Sequence, residues 1–232
     1  MTKRFYKDTG VSQAEDGFAI TLDERVIKTP AGESLNVPTE ALAKAIADEW
    51  AAQGDDIDPN SMPLMQLSGT AIDRVPGVRD GLIDGLLRYI DTDLLCYRAA
   101  TPEDLAARQA EVWQPLLDWA EETFGAKLKV VEGVIAVTQD AAARQGFGAA
   151  MADLDNWQLT ALAEMIGVSG SIVVGFAMFA GALDGEQAFA VCHVDEDHQM
   201  ELWGEDAEAT ARRANVRGEL NTAVQFLDLL KA

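Results

Sequence analysis

Polar and apolar positions alternate over Gly17-Phe-Ala-Ile-Thr-Leu22, with Phe18, Ile20 and Leu22 on one side, the period of a half-buried strand. Asp23-Glu24 turns the chain into Val26-Ile27-Lys28. Pro30-Ala31-Gly32-Glu33 turns it again, and Ser34 to Val37 makes a further strand. The first forty residues thus predict a small antiparallel meander of short hairpins. At Pro38-Thr39 the period becomes helical. Thr39 is the expected N-cap, Leu42, Ile46 and Trp50 share one face, and Gly54 stops the helix. Residues 55–63 read as a Pro/Asp/Asn loop. Helices are expected at about 64–75 and 78–91, split by Pro76-Gly77, and the apolar Asp93-Leu-Leu-Cys-Tyr97 as extended chain.

Thr101-Pro102-Glu103-Asp104 predicts a helix start, with Thr101 as N-cap, proline first and acids in the first turn. This helix carries Leu105, Val112, Trp113, Leu116, Ala120 and Phe124 on one side. Pro115 should kink it and Gly125 end it. Lys127 to Val131 and Val134 to Val137 predict a hairpin about Glu132-Gly133. Further helices are expected at about 140–154, 156–166, 171–183, 185–202 and 206–230. Strands first and helices later give an α+β chain. The expected division is a β-rich N-terminal domain with one helix at 1–60 and a mainly helical domain, containing the hairpin, at 61–232.

Nineteen residues from Met165 to Leu183 carry no charge. Gly167, Ser169 and Gly170 interrupt this run early and leave about 13 apolar residues, too few to span a bilayer. The flanks, Glu164 and Asp184, provide no basic anchor. The segment predicts a buried central helix, in which Gly167, Ser171 and Gly175 allow close packing.

The chain has 232 residues, 48% hydrophobic and 25% charged, an ordinary globular mix. Its 39 acids against 18 bases give a net charge of −21. Such a chain repels phosphates and anionic lipid surfaces, so nucleic acid and membrane are poor partners. Cys96 and Cys192 are too few for a disulfide framework and predict free buried thiols. The start, Met-Thr-Lys-Arg-Phe-Tyr, shows neither an apolar targeting core nor an amphipathic transit pattern.

Catalytic motifs are absent. The chain has no Gly-Lys pair, hence no phosphate loop, and Gly146-Phe-Gly148 lacks the third glycine of a dinucleotide fingerprint. Gly167-Val-Ser-Gly-Ser171 fails the nucleophile elbow at its last position. Asp56-Ile-Asp58-Pro-Asn60 lacks the glycine and closing glutamate of a calcium loop. His193 and His198 fall about 140° apart on one helix, which argues against a shared metal. No catalytic residue, metal or cofactor is expected.

From Gln145 to Ala211 there are 67 residues without Lys or Arg and twelve acids, nine of them within Asp184–Glu208. On a single helix Phe189, Cys192, Glu196, Gln199 and Trp203 share one stripe, so Glu196 and Gln199 interrupt an apolar seam. Either they hydrogen-bond neighbouring helices or they face a partner. A second face carries Glu186, His193, Asp197 and Glu201, with Asp184 as N-cap. Glu186 either satisfies the helix dipole or helps dock basic residues. Trp50, Trp113, Trp119 and Trp157 are expected in the core, and Trp203 stays ambiguous.

A series of short motifs runs in order along the chain. It includes Arg4-Phe5-Tyr6-Lys7, Gly17-Phe18, Leu22-Asp23, Lys28-Thr29-Pro30, Glu49-Trp50, Met62-Pro63 and Thr70-Ala71-Ile72-Asp73. It continues through Asp91-Thr-Asp-Leu-Leu-Cys-Tyr-Arg98, Trp113-x-Pro115, Trp119, Gly170-Ser171, Glu186-Gln187-Ala188 and Asp195-Glu196-x-x-Gln199-x-x-x-Trp203-Gly204. Together they resemble the assembly chaperones that escort the α subunit of F-type ATP synthase. Glu24 departs from the pattern, standing where a hairpin glycine is usual.

The resemblance implies a β-rich N-terminal domain, a larger helical domain, no enzyme activity and no nucleotide. It implies that the protein holds unassembled α subunit until the β subunit replaces it. Family members act in the mitochondrial matrix, and this chain looks like a bacterial relative acting in the cytoplasm. The expected partner-binding residues are Glu186, Glu196, Gln199 and Trp203. Two other classes stay open: a small-molecule enzyme using Asp195, Glu196 and His198, and an acidic module for another basic protein.

Overall fold

A computed structural model describes residues 2–232. Its elements are β1 (Thr2–Lys3), β2 (Thr9–Ala14), β3 (Gly17–Leu22), β4 (Arg25–Val26), β5 (Asn36–Val37), α1 (Glu40–Ala51), β6 (Asp56–Ile57), α2 (Pro63–Asp73), α3 (Val75–Leu86) and α4 (Tyr89–Thr92). They continue with β7 (Tyr97–Arg98), α5 (Glu103–Phe124), β8 (Val131–Glu132), α6 (Ala141–Ala152), α7 (Asn156–Ser169), α8 (Ile172–Phe179), α9 (Gly185–Cys192), α10 (Val194–Trp203) and α11 (Ala207–Lys231). Short strands near the N-terminus followed by helices make an α+β architecture. Contacts divide the chain into two units. One takes in residues up to Arg79, with Asp155–Ala161 and Gln225–Ala232. The other comprises Asp80–Leu154 and Leu162–Val224.

In the first unit β3 is the central strand. It pairs antiparallel with β2 over six rungs, from Thr9↔Leu22 to Ala14↔Gly17. Its other edge is shared by β4 and β5, the latter at Phe18↔Val37 and Ala19↔Asn36. The expected hairpins form, the last closed by the Lys28↔Ser34 bridge, but the β3–β5 pairing departs from a simple meander. β4 is too short to cover β3, so β5 returns to the open half of that edge. Asp23 and Glu24 both have positive φ, 48° and 67°, the geometry of a tight hairpin turn that usually takes glycine. The Asp23 carboxylate steadies the turn by accepting from the Lys7 and Asp8 N–H groups at 3.0 and 2.9 Å. These bonds hold its pKa below the usual carboxylate value.

α1 lies on this sheet through Leu42, Ala43, Ile46 and Ala47, all buried. Thr39 caps it as expected, accepting from Leu42 N. The 55–63 segment is more ordered than a plain loop: β6 pairs with β1, and Pro59–Ser61 forms a 3-10 turn capped by Asp58. The break expected at Pro76-Gly77 lies at Arg74 instead. Pro76 sits in the first turn of α3, where a missing N–H costs nothing.

The second unit encloses α8, whose residues from Ile172 to Met178 are all buried. Gly175 allows close approach to α7, since a Cβ there would meet Ile166 Cγ1 at 2.4 Å. Among the described residues no helix is long and apolar enough to cross a membrane. Phe124, Phe147 and Phe176 form a ring cluster with centroids 4.9–5.2 Å apart. Trp113 is fully buried and donates to Val191 O at 2.9 Å. The buried seam of α5 is Leu105, Gln109, Trp113, Leu117 and Ala120, so Leu117 rather than Leu116 faces inward. Gly125, at φ 64°, ends the helix as expected.

Three local expectations fail here. Thr101 is not an N-cap: Pro102 holds the cap position, and α5 begins at Glu103 without a side-chain cap. Asp93–Tyr97 is extended only at its end, where Tyr97 opens β7, because Asp93 caps a 3-10 turn at Leu94–Cys96. The hairpin about Glu132-Gly133 does not form. β8 pairs in parallel with β7, and the Gln139 side-chain amide takes both Lys129 N–H (2.7 Å) and Lys129 C=O (2.9 Å), as a strand neighbour would.

Candidate functional site

The acid-rich segment after Asp184 forms two helices, not one. α9 starts with a capping box between Asp184 and Gln187, which exchange bonds at 2.8 and 2.9 Å. It ends at His193, whose backbone leaves helical geometry (φ −112°, ψ 19°). Phe189 C=O accepts both the His193 N–H at 3.1 Å and a contact from Nδ1 at 2.8 Å. α10 then begins with Asp195, Glu196 and Asp197 in its first turn, where the helix dipole favours acids. That acidic triplet is the sequence signal for the second start. The break dissolves the single stripe expected from Phe189 to Trp203.

Both helices lean on α11 within the second unit. Gly185 admits α11 at close range, since a Cβ there would meet Asn221 Oδ1 at 2.2 Å and Cα at 2.9 Å. Glu186 accepts from Asn221 Nδ2 at 2.8 Å and pairs with Arg217 at 3.3 Å, while staying exposed. Phe189 is buried between the stacked His193 ring, 4.0 Å away, and the Arg213 and Arg217 guanidiniums at 5.0 and 4.3 Å. Glu196 pairs with Arg212, and with Arg213 at 3.2 Å; Asp197 also pairs with Arg213. Burial pushes the Glu196 carboxyl up, but the two guanidiniums outweigh it and hold its pKa below the ordinary value. Burial lowers the His193 pKa.

The four expected residues thus split into two pairs. Glu186 and Glu196 are tied to cations of α11. Gln199 is exposed on α10, and Trp203 ends that helix 78% exposed, next to Leu202 at 59%. Gln199 therefore interrupts no buried seam. The second expected face is also altered, because His193 is buried and Asp197 is paired. Sequence reading missed Arg212, Arg213 and Arg217, which pair with Glu186, Glu196 and Asp197 of the acidic run. Their signal is the Arg213–Arg217 spacing of four, one helix face, directly after 67 residues without a base.

The alternative cluster of Asp195, Glu196 and His198 does not converge. Asp195 accepts from Gln109 Nε2 at 2.5 Å, Glu196 turns to α11, and His198 Nε2 lies 3.2 Å from Asp104 Oδ2. Among the described residues no three His, Cys, Asp or Glu side chains group as metal ligands. Burial pushes the Cys192 thiol up to about 12, so it is no ready nucleophile.

Many motif residues hold the fold together. Glu49 accepts from Leu64 N and Met65 N at 2.7 and 2.9 Å and caps α2 from outside. Asp73 accepts from Thr29 Oγ1 and Ala31 N. Asp93, fully buried, accepts from Leu95 N, Ser171 Oγ and Val173 N.

With this geometry in place, known proteins provide a comparison. The family described as ATP12 chaperone protein matches residues 3–121. The mitochondrial protein atp12 of Schizosaccharomyces pombe is 30% identical over 219 residues, covering 88% of this chain and 75% of that protein. The mitochondrial ATP12 of Saccharomyces cerevisiae is 24% identical, covering 96% and 82%. The crystal structure of Atp12 from Paracoccus denitrificans superposes with a TM-score of 0.92 at 41% identity, covering 99% of this chain and 98% of that one. The Atu1473 protein of Agrobacterium tumefaciens gives 0.90 at 41% identity, covering 99% and 85%.

Proposed function

The chain belongs to the ATP12 chaperone family, and from that premise we propose that it binds the unassembled α subunit of F-type ATP synthase, covers its subunit interface and is displaced by the β subunit. The observation that carries this reading is likeness to family members along nearly the whole chain. Physical chemistry supports it. An isolated subunit of an obligate assembly exposes an interface more apolar than ordinary surface, and such surface aggregates unless covered. Covering it takes surface complementarity and solubility, not chemistry, so the protein acts as a chaperone without nucleotide, metal or cofactor. Release needs only that β bind α more tightly. Higher identity to the bacterial structures than to the fungal proteins supports action in a bacterial cytoplasm.

The contact face is the α9–α10 surface, with Glu186, Glu196, Gln199 and Trp203. Trp203 and Leu202 give an exposed apolar tip of the kind that anchors interfaces. The Glu186–Arg217 pair is open to water on both sides. Exposed pairs are worth about 0–1 kcal/mol, so a cation of the client can replace Arg217 at little cost.

The test mixes dilute, precipitation-prone α subunit with the protein, followed by size-exclusion chromatography with light scattering and a challenge with β subunit. A soluble complex that β dissolves is expected. Precipitation of α as before, without co-elution, would refute the reading.

A further inference from the structure

We propose that the first unit carries a second binding surface for polypeptide: two clefts on either side of Trp50 that take an apolar segment bearing carboxylates. The identification of polypeptide as the occupant rests on the chaperone reading above.

Trp50 forms a wall of both clefts. One, about 500 Å³, is lined by Phe5, Tyr6, Val26, Ile27 and Lys28. The other, about 770 Å³, is lined by Pro30, Ile57, Met62, Met65 and Arg74. Each is of a size that holds several side chains rather than one. Phe5 is 69% exposed and Val26 45%, so the lip of the smaller cleft offers apolar surface to solvent. Met65 is a flexible wall that adapts to varied partners. The Trp50 indole Nε1–H is buried without an acceptor. Such a donor favours any rearrangement that brings it a carbonyl or carboxylate oxygen.

Charge selects the occupant. About half of this acidic chain's cations are tied to acids, as in the Arg144–Asp91, Lys129–Asp140 and Arg108–Glu201 pairs. Around the clefts, Arg25, Lys28 and Arg74 are exposed and make no ion pair among the described residues. The two acids lining the clefts are already engaged. Asp23 holds the Lys7 and Asp8 N–H groups and feels the charge of Arg25; Asp73 holds Thr29 Oγ1 and Ala31 N. A mainly apolar cleft beside Met62 and Met65 and a mixed one beside Phe5, with unpaired cations on their rims, fit a segment that is apolar in its body and acidic at its end.

The test uses the full chain, labelled with ¹⁵N, and follows the Trp50 indole N–H signal, assigned with Trp50→Phe. The probe is an acetylated nonapeptide, Leu-Ala-Val-Leu-Ala-Leu-Ser-Asp-Glu, with a counterpart ending Ser-Lys-Lys. The acidic peptide is expected to shift the Trp50 signal saturably and to bind at least tenfold tighter than the basic one. Lys28→Glu with Arg74→Glu should abolish that preference while leaving the melting temperature in place. No shift at millimolar peptide, or equal binding of both peptides, overturns the proposal. So does a dimer by light scattering whose formation alone moves the signal, which would assign the clefts to a second copy. The same double variant enters the α-subunit mixing assay. Peptide binding without α capture by the parent chain would sink the assembly reading and leave the clefts standing; the reverse would sink the clefts alone.

Discussion

Replacing Asp93 with alanine tests how the second unit is held together. Asp93 has no exposure to solvent and receives the Leu95 and Val173 N–H groups and the Ser171 hydroxyl at 2.9–3.2 Å. It thus caps the 3-10 turn at Leu94–Cys96 and braces the N-terminus of α8. Alanine leaves two buried backbone N–H groups without acceptors, at about 1–3 kcal/mol each. Removing a buried charge offsets part of this, so the net loss at pH 8 should be about 2–4 kcal/mol. Burial raises the Asp93 pKa to about 6, against the lowering pull of its donors. A carboxyl whose native pKa is raised binds its proton more tightly when folded. Its stabilising contribution is complete below the ordinary value of 3.8 and disappears as pH rises through 6. That contribution is on the order of 1 kcal/mol at pH 5.0 and close to zero at pH 8.0. Both conditions stay above the isoelectric point of about 4.3. The neighbouring Cys96 and Cys192 thiols are pushed upward and stay protonated throughout. Urea unfolding followed by circular dichroism at the two pH values gives the comparison. The gap between parent and Asp93→Ala should be wider at pH 5.0 by about 1 kcal/mol. A loss below about 1 kcal/mol, or a gap independent of pH, would refute the reasoning.

Glu186→Lys should weaken α capture several-fold yet shift stability by less than about 1 kcal/mol, because the residue is exposed and its pair with Arg217 is solvated; full capture, or an unfolded variant, would contradict this. Trp203→Ser should leave melting unchanged, since the indole is 78% exposed, and should speed dissociation from α in a surface-binding assay. Trp50→Arg should destabilise the first unit by about 3–5 kcal/mol, because the indole packs against the Tyr6, Leu22, Ile57 and Met62 cluster; unchanged thermal melting would show that packing to be dispensable. Gly185→Ala should cost about 1–3 kcal/mol, its methyl group pressing on the Asn221 backbone, and a variant as stable as the parent in urea would exclude the close α9–α11 contact.

Local rules located much of the fold. Thr39 caps α1 and Asp184 caps α9 because a cap needs only a side-chain oxygen and the next turn. Gly125 ends α5 because only glycine takes positive φ freely. The uncharged run before Leu183 supplied the buried helix α8. The α+β class follows from where the period changes from two to 3.6. Of the candidate site, the chain announced the acidic residues, whereas the exposure of Trp203 came from the structure.

Tertiary structure decided the partners, since partners lie far apart in sequence. β8 joins β7 across 34 residues, and Gln139 stands in for the strand that a hairpin would have supplied. Nothing near Asp93 says that Ser171 will cover it, and a carboxylate reads as solvated until its surroundings are known. The acidic run looked like an open strip because its cations, Arg212, Arg213 and Arg217, arrive on a later helix. Whether a charge is free depends on distance in space, because ion pairing and desolvation fall off within a few ångströms. Sequence determined where most helices begin and end and which segments carry acid. Only packing could decide which acids are already spoken for and which surface stays open to a partner.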